Sequence, residues 1–213
     1  MATHRFIPVL VTCIGLASIG AWEYTSRHAE TMDDFSNFVT AKQRQVQKEG
    51  LDMQPSPTAD LNHNDINEEY GILLGVLTIR EGERVLWTSP RTWWIDSVVI
   101  GDTTRDGIAD INLSVWKSGN FGPSKPFWVH DNDMSIKNHL FVMDLVADHI
   151  TPIWQSSNLE VPNCALRIQK NDRDGTNDLT AIEGSYADAP ECIGRHTALW
   201  QWNGWGFSNA WRK

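Results

Sequence analysis

The sequence predicts an all-β, propeller-like array of about two and a half four-stranded repeats, preceded by an N-terminal hydrophobic segment and a partly helical linker. Three observations support this prediction. Short strand-like apolar segments alternate with turn residues, no segment after Tyr70 has helical periodicity, and an acidic loop occurs twice in the same strand context. Long repeats that each contain four strands are typical of propeller blades.

Residues 1–27 are expected to be a signal peptide or a membrane anchor. The stretch 6–22 carries no charge and follows the basic Arg5. It is long for the apolar part of a signal peptide and short for a bilayer span. The positive-inside rule places the rest of the chain outside the cytoplasm in either case. The sequence therefore predicts an extracytoplasmic protein, secreted or membrane-anchored.

Residues 28–70 are expected to form a helical or disordered stalk and linker. Up to Gly50 the sequence is polar with scattered large apolar residues, which suits one amphipathic helix or a stalk. Pro55 and Pro57 then stand among many Asp and Asn residues, a composition typical of linkers. The folded β-repeat domain is therefore expected to span 71–213.

Eleven strand-like segments are expected within that domain. They cover residues 72–79, 84–87, 95–100, 111–116, 126–130, 140–146, 151–154, 165–168, 179–183, 197–202 and 206–211. Trp87 and Trp154 occupy equivalent positions in two similar segments, and each is followed by a strand, an acidic loop and another strand. A third repeat begins in the same way around Trp200 and is only half present, so the count is two and a half.

The loop 102–110 carries the clearer of two calcium-type patterns. Oxygen-bearing groups recur at alternate positions, and Gly107 permits a sharp turn between them. The candidate ligands are the side chains of Asp102, Thr104, Asp106 and Asp110 and the carbonyl of Ile108. Calcium binds six to eight oxygens, so this spacing predicts a calcium site. An EF-hand is excluded, because its glutamate position is Leu113.

The loop 170–178 repeats the pattern with one change. Its candidate ligands are Asp172, Asp174, Thr176 and Asp178. Lys170 stands at the first position, where it either displaces the ion with its own ammonium group or swings out and leaves a weak site. Ca²⁺ is therefore expected in the first loop, and its presence in the second is left open.

These loops resemble the FG-GAP repeat of integrin alpha subunits and its VCBS-like relatives in bacterial secreted proteins. Residues 100–111 match the signature apart from Thr104 at position 3. The second copy matches at Asp172, Asp174, Gly175, Asp178 and Leu179. The resemblance implies a β-propeller with calcium loops at the blade edge, serving adhesion or ligand binding. A closed ring needs at least four blades, so we expect a partial array or a homo-oligomer that covers the open edges.

Cysteine and tryptophan provide the remaining site predictions. Cys164 and Cys192 are the pair left after Cys13 in the N-terminal segment, and an exported domain with two cysteines predicts a disulfide. Two unpaired thiols are the alternative. The tryptophans near the C-terminus would either form a platform for sugar rings or pack between repeats, and packing is favoured. They are Trp200, Trp202 and Trp205.

Charge and motif content narrow the class of function. The net charge of −9 argues against the basic surface that nucleic-acid binding requires. The sequence contains no nucleophile elbow, phosphate loop, dinucleotide fingerprint or His-Glu-x-x-His motif. It favours a non-enzymatic, exported, calcium-stabilised domain for cell-surface attachment or recognition of a surface protein or glycan. A carbohydrate-binding module is the alternative, and a hydrolase on this scaffold is less favoured.

Overall fold

The computed structural model describes residues 33–48, 57–121, 133–170 and 175–212. Strands account for 52% of this part, and one helix over 33–48 precedes them. The predominance of strands confirms the predicted β class. The expected N-terminal segment 1–27 and the expected strand 126–130 lie outside the described residues. Within the described ranges, no helix is both long and apolar enough to cross a bilayer.

Among the residues that the structure describes, twelve strands form three antiparallel sheets of four, and each sheet runs in simple sequence order. The first sheet contains β1 (Thr58–Ala59), β2 (Glu68–Leu73), β3 (Val76–Glu81) and β4 (Arg84–Thr88). The second contains β5 (Trp94–Gly101), β6 (Asp110–Ser118), β7 (Ile136–Val146) and β8 (His149–Gln155). The third contains β9 (Asn163–Lys170), β10 (Asn177–Glu183), β11 (His196–Trp202) and β12 (Phe207–Arg212), with a short 3₁₀ helix (Tyr186–Asp188) between β10 and β11.

The first sheet begins earlier than the sequence indicates. Thr58 pairs with Glu69 across β1 and β2, so strand pairing begins before residue 71. The segment 72–79, expected as one strand, is divided by a two-residue turn at Leu74 and Gly75, with φ of +49° and +77°. Two successive positive φ angles are typical of tight hairpin turns. The pattern was missed because leucine rarely occupies such a turn.

The three complete sheets also correct the expected count of two and a half repeats. Trp87 and Trp154 do occupy equivalent places, since each lies in the last strand of its sheet. Trp200 lies in β11, the third strand of the third sheet, so it does not begin a new repeat. The additional strands are at the other end of the chain, where β1 and the first half of β2 lie in the segment expected to be a linker.

The second sheet lies between the other two, in an open array rather than a closed ring. Side chains alternate along β7, where Phe141 and Met143 pack towards the first sheet while Leu140 and Val142 pack towards the third. Alternation follows from the two-residue period of a strand. Strand β6 is buried along nearly its whole length, because both faces of its sheet are covered.

The helix over 33–48 is docked on the sheets rather than standing free as a stalk. Its apolar side chains pack against Trp94 and Trp116 of the second sheet and against Tyr186. The helix residues in this cluster are Phe35, Phe38, Val39 and Val46. The spacing of these four apolar residues is typical of an amphipathic helix with one buried face.

The disulfide predicted between Cys164 and Cys192 is present, with 5.2 Å between the two Cα atoms. That distance lies within the usual range for a bridge, and the alternative of two free thiols is wrong. The bridge joins β9 to the segment before β11 and encloses the 170–178 loop.

Candidate metal centre

The 102–110 loop connects β5 to β6 and ends on a fully buried carboxylate, Asp110. Its Oδ2 accepts hydrogen bonds from the backbone N–H groups of Thr103 (2.6 Å) and Thr104 (2.8 Å). The Thr104 hydroxyl donates to Oδ1 at 3.1 Å. Burial raises the pKa of Asp110, and these hydrogen bonds partly offset the rise. A buried acid in this position favours a nearby positive charge.

The other carboxylates of this loop are oriented by the loop's own backbone. Asp102 Oδ1 accepts from the N–H of Arg105 at 2.6 Å, and its Oδ2 accepts from the N–H of Gly107 at 3.0 Å. Asp106 Oδ1 accepts from the N–H of Ile108 at 2.9 Å. The turn needs positive φ at Arg105 (+66°) and Gly107 (+90°). All five candidate ligand residues of the first loop therefore lie in one compact turn.

A third loop of the same type, 60–68, connects β1 to β2 and was missed in the sequence. It reads Asp60-Leu-Asn62-His-Asn64-Asp65-Ile-Asn-Glu68, with oxygen-bearing side chains at positions 1, 3, 5 and 9. Asparagine replaces aspartate or threonine at positions 3 and 5, and glutamate replaces aspartate at position 9. A pattern that accepted these substitutions would have found it. The neighbouring prolines indicated a linker instead.

The 60–68 loop shares its positive-φ positions and several hydrogen bonds with the 102–110 loop. Positive φ angles again fall at positions 4 and 6, at His63 (+59°) and Asp65 (+66°). Asp60 accepts from the N–H of Asn64 (3.1 Å) and of Asp65 (3.2 Å), as Asp102 does in its own turn. The N–H of Leu61 donates to Glu68 Oε2 at 2.6 Å, matching the bond from Thr103 to Asp110.

The two loops differ at the buried carboxylate. Glu68 is fully buried, and its Oε1 has no hydrogen-bond partner among the described residues. In the 102–110 loop the corresponding oxygen accepts from a threonine hydroxyl. Asn62 stands in place of that threonine and donates its amide group to Asp148 at 3.3 Å. Because a buried carboxylate oxygen without a partner is costly, this position favours a nearby cation.

The 170–178 loop is only partly described, and Asp172 and Asp174 fall outside the described residues. Lys170 is exposed at the end of β9, Thr176 is partly buried, and Gly175 has a φ of +73°. Asp178 is 7% exposed, and its Oδ1 lies 3.3 Å from Arg105 Nη2. The guanidinium group of the neighbouring loop therefore supplies positive charge to the position-9 carboxylate here.

Within the described ranges, no three His, Cys, Asp or Glu side chains converge in an arrangement that would hold a metal ion by themselves. The candidate donors of the 60–68 and 102–110 loops also include asparagine, threonine and backbone oxygens. Glu68 and Asp110 are the acidic groups that each loop buries completely.

The C-terminal tryptophans do not lie together on one exposed face. Trp200 and Trp202 pack against the hydrophobic cluster between the second and third sheets. The Trp202 ring lies 5.2 Å from that of Phe207. Trp205 is 79% exposed in the turn before β12.

These features define a mostly β protein in which each of three antiparallel four-stranded sheets contains an oxygen-rich loop between its first and second strands. No family model matches the sequence, and no curated protein matches it.

Proposed function

We propose that this is an exported, non-enzymatic β-repeat domain of the propeller type, stabilised by calcium and used in surface attachment or recognition. The observation that carries the proposal is the repeated turn at 60–68 and 102–110. Both turns have positive φ at the same two positions and a fully buried carboxylate at the ninth.

Calcium is the cation that suits these donors best. The candidate ligands are oxygens of carboxylates, amides, hydroxyls and backbone carbonyls, without nitrogen or sulfur ligands. Transition metals favour imidazole and thiolate donors, and magnesium demands a stricter octahedral geometry than a flexible loop provides. A bound calcium ion would also supply charge near the unpartnered Oε1 of Glu68.

The 170–178 loop is proposed to use the protein's own cation in place of calcium. The Arg105 guanidinium group contacts Asp178, and Lys170 replaces the acidic residue at position 1. The contact with Arg105 and the lysine at position 170 both lower the net negative charge available to a metal ion. The chain would then bind calcium at two loops, 60–68 and 102–110.

The architecture supports a role in attachment or recognition. Three consecutive sheets pack against one another, and the open array leaves outer faces and edges for a partner or a second copy of the chain. The N-terminal segment would place this domain at a membrane surface if it is not cleaved. A surface protein or a glycan is the proposed partner.

Calcium titration of the full chain by calorimetry tests the metal proposal. We expect about two ions per chain, one for each loop. Asp60→Asn and Asp102→Asn should each leave one ion, because each removes the charge at position 1 of one loop. Glu160→Gln, an exposed change outside the loops, is the matched control and should keep both. A wild-type chain that takes up no calcium contradicts the proposal.

A carbohydrate-binding module remains the second candidate because Trp205 is strongly exposed. An exposed indole is a suitable surface for stacking on a sugar ring. Polysaccharide pull-down with Trp205→Ala tests it. Binding that is lost in this variant supports the candidate, while equal binding by both proteins, or none by either, removes it.

A further inference from the structure

The three oxygen-rich loops lie at one end of the array, which we call the loop end. Because successive strands of each sheet run in opposite directions, the connection between its first two strands and the connection between its last two strands are at the same end. The loop end therefore consists of the connections 60–68, 82–83, 102–110, 147–148, 170–178 and 203–206.

Hydrogen bonds join these connections from one sheet to the next. Asp148, in the turn between β7 and β8, accepts from Asn62 at 3.3 Å and from Arg84 at 2.6 Å. Arg105 Nη2 donates to Asp178 Oδ1 at 3.3 Å. The loop end is therefore continuous across all three sheets.

Exposed apolar side chains are concentrated at the loop end. Among the described residues, seven large apolar side chains are strongly exposed to solvent. Leu73 and Ile193 lie at the opposite end, beside the β2–β3 turn and in the β10–β11 connection. The other five lie in or directly beside connections of the loop end, and they are Ile66, Val85, Ile108, Val146 and Trp205. Exposed apolar surface that is concentrated in one place indicates an interaction site.

Isoleucine occupies the seventh position of both loops proposed to bind calcium. Ile66 is 53% exposed and Ile108 is 39% exposed. Their N–H groups donate in the same way, to Asn64 Oδ1 at 2.8 Å and to Asp106 Oδ1 at 2.9 Å. These bonds use the main chain, so the turn does not itself require an apolar side chain. The seventh residue of the third loop, proposed not to bind calcium, is Thr176.

The loop end also carries carboxylates at the surface, which would repel an anionic ligand in the absence of calcium. They are Asp60, Asp65, Asp102, Asp106 and Asp148. Calcium binds six to eight oxygens, and the alternating positions of each loop provide five. Bound calcium would offset this charge and leave coordination positions for oxygens from outside the protein.

A phospholipid surface suits this combination better than a second protein does. A stable protein interface buries about 800 Å² on each partner around a contiguous core. The five apolar side chains come from five separate connections, with Asp65 directly before Ile66 and Asp106 two residues before Ile108. A membrane interface accepts such isolated side chains one at a time, and its phosphate oxygens lie beside the hydrocarbon.

We propose that the loop end docks on an anionic phospholipid membrane. Ile66 and Ile108 enter the interface between headgroups and acyl chains, and lipid phosphate oxygens complete the coordination that the 60–68 and 102–110 loops leave open. This inference rests on the calcium sites of the proposed function and adds a lipid ligand to them. The outer faces and outer edges of the array stay available for a protein or glycan partner.

Co-sedimentation of the full chain with vesicles tests the proposal. The vesicles contain equal parts of phosphatidylserine and phosphatidylcholine, and binding is compared in calcium and in chelator. The N-terminal segment is the same in every sample, so the calcium-dependent part of the binding is the measured quantity. We expect calcium to tighten binding by at least about tenfold, and we expect a weaker effect on vesicles of phosphatidylcholine alone.

The decisive variant combines Ile66→Thr with Ile108→Thr, since threonine is the residue that the third loop carries at this position. It should lose the calcium-dependent binding while calorimetry still detects both calcium ions. Leu73→Thr with Ile193→Thr is the matched control, because it makes the same kind of change at exposed residues of the opposite end. This control should bind vesicles as the wild type does.

The outcomes separate this inference from the calcium proposal. A wild-type chain that takes up calcium but binds vesicles equally in calcium and in chelator overturns the inference and leaves the calcium sites standing. Full vesicle binding by the isoleucine variant overturns it as well, and so does equal binding to phosphatidylcholine alone. Self-association in calcium without vesicle binding would assign the loop end to a second copy of the chain instead. A chain that takes up no calcium contradicts both proposals.

Discussion

Glu68→Gln separates the two roles that a buried acid can have in the 60–68 loop. Glutamine has nearly the same shape, and its carbonyl oxygen can still accept the hydrogen bond from the N–H of Leu61. The change removes the negative charge from a side chain that is fully buried and has one unpartnered oxygen. Without calcium the variant should be as stable as the wild type or more so, because an uncompensated buried charge is costly.

In excess calcium the wild type should instead be more stable than Glu68→Gln. An ion present at about 100 times its dissociation constant stabilises the native state by about 2.7 kcal/mol per site. Loss of this one site should therefore cost roughly that amount in the free energy of unfolding. For a domain of this size, we expect the melting temperature in calcium to fall by about 5–10 °C relative to wild type.

Thermal melts of both proteins in excess calcium and in chelator measure the effect. Asp110→Asn is the matched variant for the 102–110 loop and should lose a comparable calcium shift. If Glu68→Gln keeps the full wild-type response to calcium, the reasoning about this loop is refuted.

Three further changes test other parts of the structure. Arg105→Ala removes the cation that contacts Asp178, so calorimetry should detect an additional calcium ion bound, and unchanged stoichiometry would count against a protein-supplied cation. Replacing Cys164 and Cys192 by alanine should lower the free energy of unfolding in urea by roughly 3–4 kcal/mol, because the bridge closes a loop of intermediate length; no loss would contradict this. Burial lowers the pKa of His139 to about 4, so the unfolded chain takes up a proton first as pH falls. Stability should be full above about pH 6.5 and should drop by roughly 3 kcal/mol between pH 6.5 and 4. His139→Leu should flatten this pH dependence in urea titrations, and an unchanged profile would point to other groups.

Strand-like apolar segments were enough to locate all eight strands of the second and third sheets. Leu140 and Val142 on one face and Phe141 and Met143 on the other are visible in the sequence as a continuous apolar run. The first sheet was harder to predict from the sequence, because leucine occupies the first position of the turn at Leu74 and Gly75.

The candidate site was predictable only where its residues are close together in the sequence. The 102–110 loop follows from spacing along the chain. The contact between Arg105 and Asp178 joins residues 73 positions apart, so it depends on how two sheets pack. The same holds for the ion pair between Lys42 of the helix and Asp96 of β5, which are separated by 54 positions. No local pattern indicates which charged side chains will meet.

Because one sheet lies between two others, the stability of the array should be approximately the sum of a term for each sheet and a term for each interface between neighbouring sheets. In such proteins each unit is stabilised by its nearest neighbours, so the middle unit has two stabilising interfaces and each end unit has one. Local opening should therefore begin in the end units and reach the middle last. Amide exchange should be slowest in β6, and the chain would gain stability by adding a unit at either end.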